Sequence, residues 1–352
     1  MTELDRRAFL LGGVALAGVS LTGCATPSAQ PSAGSSTLSP AGPTAAPTSV
    51  SPTPSSPAPA APTAPAKPQV FFTKDITPAG LLAAYGALGV TAQGKVAVKI
   101  STGEPGGNNY LHPALIKQLV QQVRGTIVEC GTAYNGKRAD PKSHYQVAVD
   151  HGFTAIAKVE ILDAKGTMEL PVAGGVHLTK NVVGARFADY DFYLILSHFK
   201  GHIMAGFGGA IKNLAIGLAS ASGKSLIHSG GASKTGTGGG TAQEVFLEAM
   251  AEAAKSVTDR LGSNVVYVNV MNRLSVDCDC MSNPAPPAMA DIGVLSGLDP
   301  VALDQACVDL VYAAPDGKPL VERMESRKGP HVLDHGASIG LGKKAYQLVR
   351  ID

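Results

Sequence analysis

Between Ser197 and Leu218 the chain reads SHFKGHIMAGFGGAIKNLAIGL. Three basic residues in it, His198, Lys200 and His202, alternate, and alternate side chains of an extended strand share a face. Gly206, Gly208 and Gly209 follow, then Lys212 in the first turn of a predicted helix, with His228 farther on. From Phe192 to Gln243 there is no Asp or Glu. A helix N-terminus carries partial positive charge and suits an anion rather than a cation, so a lysine there needs a reason. The chemistry that fits is capture of a small anion. Glycines let backbone approach a ligand closely, and free amides around Gly208 and Gly209, with Lys200 and Lys212, would meet a phosphate or carboxylate. So dense a cluster of cations without counter-charge reads as a site rather than as a polar strand edge.

Two other stretches carry chemistry. VDCDCMSNP (276–284) places Cys278 and Cys280 two residues apart, on one face if a strand continues, with Asp277 and Asp279 on the other. Two thiolates at that spacing can chelate a soft or borderline metal; the alternative is a structural pair, one of them bridged to Cys130 or Cys307. TAYNGKRAD (132–140) offers Lys137 and Arg138 as anion-binding groups or, equally, as a solvated basic turn. SGKS (222–225) hints at a nucleotide-binding loop, but Gly217 is one residue out of register and the preceding element is a helix rather than a strand.

The elements that position these groups alternate strand and helix. Strands are expected at 95–102, 125–130, 190–199, 264–276 and 290–297, and helices at 112–123, 143–153, 208–220, 242–261 and 299–314, the last opened by Asp299 and Pro300. This alternation predicts an α/β fold, a mainly parallel sheet with helices on both faces and sites at the C-terminal strand ends.

Residues 69–352 form the expected globular part of the 352-residue chain. Residues 1–24 carry Arg6-Arg7 followed by Phe9-Leu10, similar to a twin-arginine export signal. Their apolar run is too short to span a membrane and ends in LTGC, which resembles a lipobox with Cys24 as the acylated (palmitate-bearing) residue. Residues 25–68, almost wholly Ala, Pro, Ser and Thr, are expected to be a disordered tether. The expectation is an exported lipoprotein on the outer face of the cytoplasmic membrane, touching the membrane only through its lipid. A net charge of +2 without basic runs or aromatic ladders argues against a nucleic-acid partner.

ECGTAYNGKRADPKSHYQVAVDHGF (129–153), SHFKGHIMAGFGGAIKNLAIG (197–217) and DCDCMSNPAPPAMADIGVLSGLDPVALDQA (277–306) resemble domain-of-unknown-function family 362. Many relatives there carry a ferredoxin-like insert of Cys-x-x-Cys motifs after the Gly-rich helix. Here that region, SASGKSLIHSGGASKTGTGGG, has no cysteine, which counts against an iron–sulfur cluster and an electron-carrier role.

A more distant resemblance, through His202, AGFGG (205–209), Lys212, GLAS (217–220) and His228, is to nickel-pincer lactate racemases and their N-terminal domain. It implies His202 as a proton-transfer group, Lys212 as the covalent attachment point of the cofactor and His228 as a nickel ligand. His198 is a further candidate metal ligand, and imidazole suits nickel and other transition metals. Ile211 stands where those enzymes have a basic residue, and His112 is the candidate for their second catalytic histidine. Two functions follow as alternatives: a metal- or cofactor-dependent racemase- or oxidoreductase-like enzyme acting on a small anion, or a non-catalytic lipoprotein binding an anion or a metal.

Overall fold

The computed structural model describes residues 66–236 and 240–352. The residues read as an export signal, with Cys24, and residues 25–65 of the expected tether lie outside them, whereas Pro68, the last tether residue, accepts a backbone hydrogen bond from Gln347. The chain begins with β1 (Gln69–Thr73), α1 (Pro78–Ala87), β2 (Val96–Lys99), α2 (Pro113–Gln122), β3 (Thr126–Glu129), α3 (Pro141–Asp150) and β4 (Val159–Ile161). A hairpin of β5 (Thr167–Pro171) and β6 (Lys180–Gly184) leads to β7 (Phe192–His198), then to a small ribbon of β8 (Lys200–His202) and β9 (Gly206–Gly208). Next come α4 (Ala210–Leu218), α5 (Ala221–His228), α6 (Gln243–Leu261), β10 (Val265–Met271) and β11 (Gly293–Gly297). The chain closes with α7 (Pro300–Ala313), α8 (Lys318–Ser326), α9 (His331–Ser338) and β12 (Gln347–Arg350).

Helix starts follow local chemistry. Proline, which lacks the N–H that a first turn cannot use, opens α1, α2, α3 and α7. Thr77, Asp140 and Asp299 cap α1, α3 and α7 by accepting backbone N–H bonds.

The main sheet runs β12-β1-β11-β10-β7-β2-β3-β4. Five strands, β10, β7, β2, β3 and β4, are mutually parallel, and β11 runs antiparallel to both of its neighbours. The mainly parallel α/β architecture expected from the sequence is therefore present, with one reversed strand. No helix separates β10 from β11, so nothing carries the chain back across the sheet for a parallel re-entry.

Alternate residues of the central strands feed two cores. Tyr193 and Ile195 pack on one side with α4, α6 and α7, whereas Phe192, Leu194 and Leu196 pack on the other with α1 and α2. Helices thus cover both faces.

The topology also fixes where a site can lie. From β2 the chain moves outward to β3 and β4, then returns to the other side of β2 as β7 and continues to β10. The order reverses between β2 and β7, and ligands in open parallel sheets bind beyond the strand ends at such a reversal. Asn213 of α4 marks the place. Its Nδ2 donates to Lys99 O (3.1 Å), Leu196 O (3.3 Å) and Ser197 Oγ (3.1 Å), tying the helix across the gap between the two strands.

Candidate active site

A cavity of about 310 Å³ opens at this reversal. Lys99 ends β2, Glu129 ends β3 and His198 ends β7, and all three line it. The hairpin β8–β9 supplies Lys200 and His202, α4 supplies Lys212, α5 supplies Lys224 and His228, and the β10–β11 loop supplies Cys278 and Cys280.

Most of the charge at one end is paired. Lys99 Nζ lies 2.8 Å from Glu129, and Arg138 reaches Glu129 at 3.5 Å and Glu104 at 3.4 Å. These cations hold Glu129 well below the usual carboxylate range despite a burial that opposes it. Arg138 therefore lines the cavity with its charge already matched, whereas Lys137 is exposed and does not line it.

Lys200, expected to be free for a ligand, has a carboxylate: Asp279 Oδ2 at 2.9 Å. His198 is engaged at both nitrogens, Nδ1 with Asp279 Oδ1 (2.9 Å) and Nε2 with the Asn272 carbonyl (2.6 Å). With an acceptor facing each nitrogen it offers no lone pair to a metal, and it serves to fix Asp279.

The amide cradle is also occupied. Asp304 of α7 accepts from Ala210 N (2.8 Å) and Ile211 N (2.9 Å), placing a carboxylate where an anionic ligand was expected. A side chain at Gly209 would clash with that carboxylate, with only 2.3 Å between Cβ and oxygen. Gly209 thus makes room for Asp304 rather than for a ligand, and Gly208 contributes only to the wall.

Two cations remain uncompensated. Among the described residues neither Lys212 nor Lys224 has a carboxylate within ion-pair distance. Lys224 is buried and donates to the Ala219 carbonyl, and burial pushes its ammonium below the ordinary lysine value.

Beside them His202 and His228 are both held down to about 4, first by burial and also by the charge of Lys212. Both are therefore neutral at pH 7, and their hydrogen bonds set opposite tautomers. His202 Nδ1 accepts the backbone N–H groups of Met204 (3.1 Å) and Ala205 (2.9 Å), so its proton sits on Nε2. His228 Nδ1 lies 2.7 Å from the Lys224 carbonyl and must donate to it, which leaves the lone pair on Nε2. The His228 ring is stacked on Phe246 at 4.8 Å. One histidine is thus a donor and the other an acceptor, in one cavity.

Cys278, Cys280 and His202 have ligand atoms all within 4.8 Å of one another. That is close enough for a metal ion, so the expected cysteine pair does form a possible metal-binding group with His202, which would have to give up its Nε2 proton to join it. The segment carrying the cysteines is a series of turns, because β10 stops at Met271 instead of continuing to 276. Asp279 consequently turns inward to His198 and Lys200, and Asp277 pairs with Arg323 at 3.2 Å. All four described cysteines are free thiols. His112 lies outside the cavity lining, its Nε2 2.5 Å from Arg273 Nη1 and its ring stacked on Tyr110.

Sequence reading did not single out Lys99, Glu129, Lys224, Asp279 or Asn213. Lys224 lies within SGKS, whose register does not fit a nucleotide-binding loop. Lys99 and Glu129 carry a usable signal in their positions at strand ends and Asp279 in its place between the two cysteines, whereas Asn213, inside α4, carries none.

A family model for a domain of unknown function, DUF362, matches residues 96–309. The chain belongs to the DUF362 family. The matched span of this DUF362 protein runs from β2 into α7 and so includes every cavity residue named above. No curated protein matches the chain. Among solved structures, the lactate racemase apoprotein from Thermoanaerobacterium thermosaccharolyticum is similar at 14% identity and a TM-score of 0.35, over 58% of this chain and 51% of that one. A protein from Thermotoga maritima is similar at 11% identity and a TM-score of 0.38, over 74% of this chain and 58% of that one. The DUF362 chain thus spans about half the length of the racemase it matches.

Proposed function

We propose that the cavity binds a small organic anion and that His202 and His228 act on it as a hydrogen-bond donor and a base. The observation that carries this reading is the pair of uncompensated lysines, Lys212 and Lys224, beside two buried neutral histidines. A carboxylate or phosphate ester would supply the missing negative charge, and a volume of about 310 Å³ suits a metabolite rather than a polymer. With the anion held by lysine, His228 Nε2 can take a proton from a neighbouring carbon, while His202 Nε2–H and the lysine charges stabilise the negative charge that develops. This supports an isomerase- or oxidoreductase-like enzyme.

For a nickel-pincer group the chain holds two matching residues, Lys212 as the attachment amine and His228 with an open Nε2. Such a group, when bound, would supply metal-centred chemistry to the substrate. With Lys212 and His228 engaged by the group, Lys224 would still hold the anion and His202 would handle the proton.

The test is calorimetric titration of a panel of small carboxylates and phosphate esters, with Lys212→Ala and Lys224→Met as controls. At least one anion should bind the wild type, and both variants should weaken it roughly tenfold or more. If no anion binds, the reading is wrong; binding without turnover would favour the non-catalytic alternative. Intact-mass analysis of native protein checks the cofactor, because a pincer adduct adds mass to the Lys212 peptide.

We also propose that the protein is exported and anchored through Cys24, on the strength of DRRAFL and LTGC. Labelled palmitate should be incorporated by the wild type and not by Cys24→Ala.

A further inference from the structure

Four lysines line the cavity, and their partners divide them. Lys99 pairs with Glu129 at 2.8 Å and Lys200 with Asp279 at 2.9 Å, so two are neutralised. Lys212 has no carboxylate in reach but is partly exposed, and water can solvate it. Lys224 differs from all three. It is only 7% exposed, and among the described residues its Nζ has the Ala219 carbonyl as its one hydrogen-bond partner. Of the carboxylates that act on it, Asp163 is taken up by the backbone N–H groups of Gly131 (2.9 Å) and Ala221 (3.3 Å), and Glu129 by Lys99 and Arg138. An ammonium group has three N–H donors, and here one acceptor meets them. Burial without a counter-ion favours the neutral amine, and a cation on the same wall, Lys99, adds to that. Lys224 and His228 stand four residues apart on α5, hence on one face, and both line the cavity. A nucleophilic amine and a base with an open Nε2 thus enter the cavity from one helix.

We propose that Lys224 condenses with the carbonyl group of a small oxo acid whose carboxylate is held by Lys212. The proposal rests on the anion-binding reading of the cavity and names the substrate class for it. The amine lone pair forms the N–C bond as the C=O π pair moves to oxygen. That oxygen leaves as water with both amine hydrogens, so amine and carbonyl become imine and water and nothing is oxidised. Protonation of the imine nitrogen gives an iminium, which keeps a positive charge at Lys224. His228 Nε2 then takes a proton from the carbon next to the iminium carbon, and the electron pair of that C–H bond moves towards nitrogen to give an enamine. The base thereby gains an electron sink that a bare carbonyl supplies less well. Return of the proton and addition of water reverse the sequence and free the amine.

Reductive trapping of the folded protein at pH 7 with sodium cyanoborohydride tests this, using two small carbonyl probes and peptide mapping of the modified lysines. Neutral acetaldehyde reads the amine alone; glyoxylate, an anion, also reads the charge that holds the carboxylate. Each rate at Lys224 is divided by the rate at exposed Lys318 in the same sample, which cancels the probes' own reactivity. Lys224 should be the first lysine trapped by acetaldehyde, and its lead over Lys318 should be roughly tenfold larger with glyoxylate, since a cationic cleft concentrates an anion by that order or more. Lys212→Ala should remove the extra lead with glyoxylate while Lys224 stays the first site trapped by acetaldehyde. If acetaldehyde is trapped at Lys224 no faster than at Lys318, the nucleophile is refuted, whatever the anion does. If the lead is the same for both probes, the anion site fails, and the imine proposal, which needs it, fails with it. Calorimetric binding of glyoxylate without an adduct at Lys224 would overturn the imine alone and leave the anion-binding reading standing.

Discussion

His177, His331 and His335 each face a carboxylate, whereas His202 and His228 face thiols, cations and backbone. At the seam between α6, α9 and the β5–β6 turn, Glu248 takes His177 Nε2 at 2.5 Å and His331 Nε2 at 2.7 Å. One turn along, buried Glu252 accepts from the backbone of Val176 (2.7 Å) and Leu178 (2.8 Å) and lies 3.4 Å from His335 Nε2. Those two hydrogen bonds hold Glu248 below the usual carboxylate range, His177 first and His331 second. Around His202 and His228 the equivalent partners are missing, and burial keeps both imidazoles neutral. The contrast separates two uses of one side chain. A histidine with a carboxylate in reach is a tie between elements; a buried one without it keeps a donor or a lone pair for something else.

The comparison is most easily broken at Glu252. Replacing it with Ala leaves three backbone N–H groups without their acceptor, and should cost about 3 kcal/mol in urea unfolding. A loss under about 1 kcal/mol would mean that the seam is not a structural tie.

The cavity histidines should show themselves in acid. Their folded value, about 4, lies below the unfolded value of 6.5, so the unfolded chain takes the proton first. The stability they confer is complete above pH 6.5 and is lost as pH falls from there towards 4. Between pH 7 and 4.5, His228→Leu should lose roughly 2 kcal/mol less stability than the wild type. Equal losses would mean that His228 is solvated and charged in the fold.

Lys212→Ala should leave unfolding within about 0.5 kcal/mol of wild type while weakening the best-bound anion at least tenfold, or about 1.4 kcal/mol. A large stability loss with unchanged binding would reverse the roles assigned to seam and cavity. The smallest effect is expected for Glu248→Gln, about 1 kcal/mol, because its hydrogen bonds are partly open to solvent.

Much of this architecture can be read from local sequence. Alternation of apolar strands with proline-opened helices yields the parallel sheet and both helical faces, and helix 242–261 is observed as Gln243–Leu261. The cluster at His198, Lys200, His202 and Lys212 does line a cavity. What local sequence does not carry is the identity of partners from afar. The acid-free stretch looked uncompensated because its carboxylates come from later in the chain: Asp279 reaches Lys200 across 79 residues, and Asp304 reaches Ala210 across 94. Strand patterning also ran past Met271, where Arg273 enters the left-handed region at φ 48° and three prolines follow, so the cysteines sit on turns and Asp279 faces inward. The β10–β11 reversal escaped for a similar reason, since it depends on the absence of a helix rather than on any residue pattern.

Asp304 at the head of α4 has a consequence for how the molecule is made. During synthesis the stretch that bears Lys200, His202, Lys212 and Lys224 emerges well before the α7 residue that closes its helix end. Until then α4 has bare amides, β7 lacks β10 on one flank, and Lys200 lacks its counter-ion. Nascent chains shorter than about residue 310 should therefore be open to proteases throughout residues 192–228, becoming resistant in a single late step once α7 has left the ribosome.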